Sequence, residues 1–372
     1  MSAVAPQVFV NPARRPDPVA PRPDGRPSDF HRRLPGYVAT PLIDAPEIAR
    51  QLGLARVSVK DESSRLGLPA FKVLGASWAV YRLLSERLGS EPEWHDLEQL
   101  RTAFAPLADL TLVAATDGNH GRAVARVARL LGLGARIFVP AGTAAARVAG
   151  IASEGALVIA VDGTYEDAVD ASAAEANAAT LLVSDTTPPD APWDTARTVI
   201  EGYETIFAEV DAQVDTIAGA TPIDLVVAPM GVGALAAAAV AHYATESLMV
   251  AVEPTNAASG MRSAEAGHPV LLPGPHDSIM AGLNCGSVSM VAWPALQSGI
   301  DVFVTVDDAR AERAMRELAT IGIVAGETGA ASLAGLRALA DAADLRGRHA
   351  LVIVTEGATD PDAYERIVGH AP

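Results

Sequence analysis

LPAFKVLGASWAV, residues 68–80, sets a lysine at the mouth of an apolar run that opens on a glycine turn. Of the 28 basic residues only Lys60 and Lys72 are lysine, which leaves 26 arginines. Arginine stays charged at any working pH, whereas a lysine amine can lose its proton and attack a carbonyl. Lys72 is therefore a candidate Schiff-base residue. Read alone, a lysine near a helix start is a solvated charge, and its rarity in this chain is what gives the position weight.

Working outward, 372 residues exceed the roughly 250–300 that a single core serves, so two lobes are expected. With 49% hydrophobic residues and a mean hydropathy of +0.22, the composition is that of an alanine-rich globular protein. The net charge of −17 argues against a phosphate-backbone partner, and no basic cluster offsets it, so nucleic acid binding is not expected. One cysteine, Cys285, excludes an intrachain disulfide and a cysteine-based zinc site; it suits a reducing cytoplasm, and no metal ligands are assigned. The first 30 residues are rich in proline and arginine without an apolar segment, which reads as an extended arm. The run LAAAAVA at 235–241 is too short to cross a bilayer and follows a glycine turn, so it reads as a packed helix start; no membrane association is expected.

Short β-branched runs alternate with alanine-rich helical stretches: ARVSV, LTLVAAT, ARIFVP, ALVIAV, ATLLVS, DLVVAPM, LMVAVEP and ALVIVTEG. That alternation predicts parallel sheets with crossover helices, an α/β fold. Ligands of such sheets gather at the carboxyl ends of strands, in the loops that lead into helices.

Four of those loops are chemically unusual. TDGNHG at 116–121 follows LTLVAA and opens GRAVARVARLLG, placing Asp117, Asn119 and backbone N–H groups at a helix start; read alone it is equally a plain Asp/Asn cap. PMGVGAL at 229–235 also opens a helix, and Gly231 and Gly233 let successive N–H groups turn toward a phosphate. It is not the dinucleotide fingerprint, because Ala236 stands where the third glycine belongs. GETGAAS at 326–332 carries Glu327 at its mouth, and TEGATDP at 355–361 sets the Thr355 hydroxyl at a strand end. The set comprises an amine, a phosphate cradle and polar groups for a ring.

Those stretches together, KDESSRLGLPAFKVLGAS, TDGNHG, GVGAL, IMAGLNCGSVSMVAWPAL, GETGAASLAGL and TEGATDP, resemble the fold-type II pyridoxal-phosphate enzymes, the tryptophan synthase β-like group that includes serine and threonine dehydratases. The resemblance runs in order from about Lys60 to Asp360. Asp117, where the dehydratases usually carry serine, together with AGLNCG and TEGATDP, makes the chain most similar to the diaminopropionate ammonia-lyase branch. The resemblance implies two open, parallel-type α/β domains with pyridoxal 5′-phosphate in their cleft: a small domain at 76–190, and a large one built from 31–75 and 191–372. It further implies that Lys72 binds the cofactor aldehyde, that Asn119 meets the pyridoxal 3′-oxygen, and that Gly231, Val232, Gly233, Ala234 and Leu235 cradle the phosphate. Thr355 would meet the ring nitrogen. Lys60 and His120 read as structural and positioning residues.

The implied reaction is the elimination of 2,3-diaminopropionate, D or L, to pyruvate and two molecules of ammonia, by a cytoplasmic homodimer acting on a small amino acid. Family resemblance gives Asp117 the face of the cofactor that serves the D-isomer and Asp185 the face that serves the L-isomer. One departure stands out: the family's compact D-T-x-W-x-G-Y segment reads SDTTPPDAPWD here, with Asp185 and Thr186 kept and the tryptophan displaced to Trp193. The alternatives are a serine, threonine or hydroxyaspartate dehydratase on the same fold, or a catalytically silent relative that binds the cofactor or an amino acid.

Overall fold

The computed structural model describes residues 6–20, 23–116, 118–186, 194–217, 219 and 221–372. The chain divides into two compact units, one formed by Met1–Asp24, Ala39–Ser64 and Ile206–Pro372, the other by Gly25–Val38 and Arg65–Thr205. Lys72 thus belongs to the second unit, whereas the expected small domain begins at residue 76.

The first unit is built on a seven-stranded sheet. Its strands are β1 (Val8–Val10), β2 (Leu42–Asp44) and β3 (Arg56–Asp61), and then, after the second unit, β8 (Leu225–Pro229), β9 (Leu248–Pro254), β10 (Val302–Val306) and β11 (His349–Val354). The order is β1-β10-β9-β8-β11-β3-β2, parallel throughout except for the two short edges. Every residue of β8, β10 and β11 is buried, which is why they read as unbroken apolar runs with no alternation. Within the stretch expected to be an extended arm, Val8–Val10 pairs antiparallel with β10 and Arg26–His31 is helical. The alanine run forms the helix Ala234–Tyr243, buried on nearly all sides.

The second unit holds a four-stranded parallel sheet, β6-β5-β4-β7, from β4 (Thr111–Ala115), β5 (Gly134–Pro140), β6 (Leu157–Val161) and β7 (Thr180–Leu182). The helix Val73–Leu88 runs from Lys72, and its Gly75 lies against the end of the helix Asp194–Gly202, where a Cβ on Gly202 would meet Leu74 O at 2.7 Å. Only glycines permit so close an approach. Eight runs foreseen as strands are strands; β1, β2 and β10 are additional. Among the described residues no helix is long and apolar enough to cross a membrane.

Candidate active site

In the second unit Lys72 caps the helix Val73–Leu88, and its side chain keeps 22% of its exposure. Its Nζ lies 2.6 Å from Oδ2 of Asp185, which follows β7 and is buried. Burial alone would raise the Asp185 carboxyl, but the charges of Lys72 and His120 and the hydrogen bond from Lys72 outweigh it and hold the group at about 2. Asp185 is therefore ionised in the neutral range.

His120 stands in the first turn of the helix Asn119–Leu131. Its Nε2 is 2.8 Å from the Val183 carbonyl, where a ring nitrogen can only donate. Its Nδ1 lies 4.0 Å from Asp185 Oδ2, beyond hydrogen-bond distance, and has no hydrogen-bond partner. The turn before it is tightly determined. Gly118 has φ 155°, and its N–H donates to Thr116 Oγ1 at 2.8 Å. A Cβ on Gly121 would meet Thr116 Cγ2 at 2.4 Å, so the helix is pressed against the end of β4. The helix is also clamped from outside, where Arg126 grips buried Glu154 through two hydrogen bonds of 2.6 and 2.8 Å. Asn119 begins this helix. Asp117 lies outside the described residues, as does the 187–193 stretch that carries Trp193.

The first unit brings four loops together. The glycine loop after β8 approaches residues 282–285 closely: a Cβ on Gly231 would lie 2.9 Å from Gly282 O and 3.1 Å from Cys285 Sγ. Gly233 has φ 99°, and a Cβ there would run 2.5 Å from Leu296 Cδ1. Both glycines are needed, one for proximity and the other also for a left-handed turn. Val232, Ala234 and Leu235 complete the loop and the first turn of the helix Ala234–Tyr243, whose leading N–H groups have no partner within the helix. Gly282 N donates to Thr328 Oγ1 at 3.2 Å, and Thr328 N donates to Glu356 Oε1 at 3.2 Å. Thr355, buried at the end of β11, donates to Thr328 O at 3.5 Å. The phosphate loop, AGLNCG, GETGAAS and TEGATDP are thus linked in one series of contacts.

The two lysines differ sharply. Lys60, in β3 of the first unit, is fully buried, and its Nζ donates to Thr40 O at 2.7 Å, Glu209 Oε2 at 2.7 Å and Gln213 Oε1 at 2.9 Å. The Lys60 amine is thus enclosed by acceptors of its own unit.

Sequence reading passed over Tyr203. This residue is fully buried in the second unit, with its ring 4.7 Å from that of Phe71 and its hydroxyl without a hydrogen-bond partner. A Cβ on Gly75 would fall 2.6 Å from Cε1 and 2.8 Å from Cζ of its ring. Burial raises the phenol well above its ordinary value, against the opposing charge of Lys72 and with the help of Asp185. No motif marks it; the signal is tertiary, in Gly75, which admits the ring beside the Lys72 turn.

The sequence profile described as "Pyridoxal-phosphate dependent enzyme" matches residues 34–356. Diaminopropionate ammonia-lyase of Salmonella typhimurium is 32% identical over 364 residues, 91% of this chain and 90% of that protein. The crystal structure of diaminopropionate ammonia lyase from Escherichia coli in complex with D-serine matches with a TM-score of 0.89 at 30% identity, over 99% of this chain and 98% of that one. The structure of the same Escherichia coli protein in complex with an aminoacrylate-PLP azomethine reaction intermediate matches with a TM-score of 0.88 at 29% identity, over 98% and 97%.

Proposed function

This chain belongs to the pyridoxal-phosphate dependent enzyme family, and from that premise we propose that it converts 2,3-diaminopropionate and water into pyruvate and two molecules of ammonia. The observation that carries the reading is the Lys72–Asp185 pair: a reachable amine 2.6 Å from a buried carboxylate, in a chain whose other lysine is locked away. The residues fit the cofactor by chemistry. Lys72 offers an amine for its aldehyde, the loop of Gly231, Val232, Gly233, Ala234 and Leu235 offers the N–H groups of a helix start for a phosphate, and Thr355 offers a buried hydroxyl for a ring nitrogen. Asn119 is assigned to the 3′-oxygen.

When bound, pyridoxal phosphate supplies an electron sink for the carbanion left at the substrate α-carbon. Asp185 is assigned the α-proton of the L-isomer and Asp117 that of the D-isomer, because one side chain cannot serve both faces of a planar group. With the Lys72 ammonium at 2.6 Å, Asp185 is a weak base. Loss of the positive charge on the Lys72 nitrogen would leave the buried carboxylate more basic. The β-amino group departs with a proton as ammonia, and the released 2-aminoacrylate takes up water to give pyruvate and the second ammonia. We place the enzyme in the cytoplasm as a homodimer on the family resemblance, which sedimentation checks.

The test is pyruvate formation from D- and L-2,3-diaminopropionate, with L-serine and L-threonine as controls, coupled to borohydride reduction and peptide mapping. A label on Lys72 and preference for diaminopropionate are expected. A label on Lys60 refutes the lysine assignment, and turnover of L-serine well above that of diaminopropionate identifies a dehydratase instead.

A further inference from the structure

PQVFVNP, residues 6–12, reads almost the same in both directions about Phe9, with Gln7 and Asn11 as the one unlike pair. Its middle forms β1, which lies at an edge of the first unit's sheet and pairs with β10. Asn11 N donates to Asp301 O and Thr305 N donates to Gln7 O, both at 2.9 Å, so residues 7 and 11 turn their backbone groups toward β10. In an antiparallel ladder this orientation alternates. The N–H and C=O groups of Val8 and Val10 therefore face outward, and none of them has a protein partner among the described residues.

Natural edge strands are commonly guarded by charge, and this one has none from Gln7 to Asn11. Seven large hydrophobic residues are exposed among the described residues, and three of them, Val8, Val10 and Val19, sit on this one segment, Val10 keeping 71% of its surface. Val19 N donates to Ser298 Oγ at 2.8 Å and Asn11 Nδ2 to Gln297 O at 2.9 Å, so the segment lies along the helix Trp293–Gly299. Gln297 Nε2 donates in turn to Gly267 O at 2.9 Å, at the start of the loop that carries exposed Leu271.

We propose that this edge is an interface between two copies of the chain, β1 pairing antiparallel with the partner's β1 about a two-fold axis at Phe9. Val8 then stands opposite the partner's Val10, each donating its N–H to the other's C=O, and the symmetric pair brings the total to four hydrogen bonds. Phe9 faces the partner's Phe9 in the closer, non-hydrogen-bonded position. The prolines set this register. A slip of two residues, the smallest that keeps the outward groups face to face, brings Val10 opposite the partner's Pro6 or Val8 opposite the partner's Pro12, and neither proline has an N–H to give. Two seven-stranded sheets become one of fourteen strands, seven from each copy. A specific dimer buries on the order of 1,200–2,000 Å², more than the strand pair covers, and the exposed Val19 and Leu271 are where the contact widens. The inference rests on the homodimer proposed above and not on the reaction.

The test is made on the cofactor-loaded full chain. Sedimentation equilibrium compares wild type with Val10→Pro, which removes an outward N–H and leaves the bonds to β10 in place. Each dimer loses two hydrogen bonds, so its dissociation constant is expected to rise at least about tenfold, with an unchanged far-ultraviolet spectrum. Oxidative cross-linking reads the register. Phe9→Cys is expected to give a covalent dimer joined at residue 9, because Cα atoms of a facing non-hydrogen-bonded pair lie about 4.5 Å apart. Val10→Cys alone is expected to give none, since it stands across from position 8. Co-expressed Val8→Cys and Val10→Cys chains, altered only at exposed side chains, are expected to join each other, which keeps the register readable should Phe9→Cys misfold. Wild type, with Cys285 its single cysteine, is the control. A wild type that sediments as a monomer leaves the edge to another occupant and overturns the proposal. So does a dimer whose dissociation constant is unmoved by Val10→Pro, or one in which neither Phe9→Cys nor the co-expressed pair cross-links. No readout uses substrate, so the outcome stands apart from the lyase assignment.

Discussion

Replacing Asp185 by asparagine keeps the shape of the side chain and removes its charge, and the structure sets the size of two separate effects. The first is on stability without cofactor. Asp185 is held at about 2 against an ordinary 3.8, and at roughly 1.4 kcal/mol per pH unit this amounts to about 2 kcal/mol of stability at neutral pH. A carboxyl lowered by folding contributes fully above its unfolded value and loses that contribution as pH falls through its folded value. The difference between wild type and variant should therefore be level from pH 7 down to about 4 and close between about 4 and 2, as read from denaturant midpoints of the apoprotein. The second effect is on turnover: loss of a general base costs on the order of 10²-fold or more, and it should fall on L-diaminopropionate while the D-isomer is spared. Asp117→Asn should reverse the preference. The assay is initial pyruvate formation from each isomer at saturating cofactor. Equal losses on both isomers in both variants would refute the two-base reasoning and leave the aspartates as binding groups for the β-ammonium. A stability difference that persists unchanged at pH 2 would refute the ion-pair accounting.

Two further outcomes follow from the first unit. Gly231→Ala forces a Cβ to within 2.9 Å of the Gly282 carbonyl and 3.1 Å of Cys285 Sγ, so the glycine loop must shift; the cofactor dissociation constant, from apoenzyme reconstitution, should rise at least about tenfold with the far-ultraviolet spectrum unchanged. Wild-type affinity in this variant would mean the loop does not hold the phosphate. Glu253 is fully buried at the carboxyl-terminal half of β9, accepts N–H bonds from Gly260 and Met261 at 2.7 and 2.8 Å, and faces the charge of Arg262. Burial, only partly offset by those bonds, lifts its carboxyl from 4.5 to about 8. A raised carboxyl keeps its proton in the folded state while the unfolded chain releases it, so stability falls as pH climbs from about 4.5 to about 8. Glu253→Gln should remove that slope, a few kcal/mol over the window, in the thermal midpoint; an identical slope in the variant contradicts the protonated state.

The fold was legible because parallel strands appear as short apolar, β-branched runs, and eight of them were read from the sequence, β8 and β11 being buried throughout. Val302–Val306 carries the same signature and belongs in the same list. β1 and β2 do not carry it: each has three residues, and each exists through pairing with a distant strand, Val8 with Val304 and Leu42 with Lys60. Nothing local encodes such an edge. The site was legible to the extent that its chemistry depends on residue type. The scarcity of lysine drew attention to two positions, but composition could not rank them, because both are one amine in an apolar neighbourhood. The ranking comes from what surrounds each amine. Lys60 is fully buried among acceptors that include Thr40 O, Glu209 Oε2 and Gln213 Oε1, and Lys72 meets the Asp185 carboxylate while remaining in reach of solvent.

Tyr203 marks the limit of such reading for a physical reason. Its relation to Lys72 spans 131 residues of chain and depends on absent atoms: the missing Cβ of Gly75, which admits the ring, and the missing Cβ of Gly202, which lets the two helices close. A glycine in a helix costs roughly 0.5–1 kcal/mol relative to alanine, so two of them at one crossing indicate that something larger is gained there. The same glycine in FKVLGAS that opens the helix behind Lys72 in the sequence is, in the fold, the floor beneath the ring of a buried phenol. A motif records which residues follow one another, and the neighbours that tune their acidity are supplied by packing.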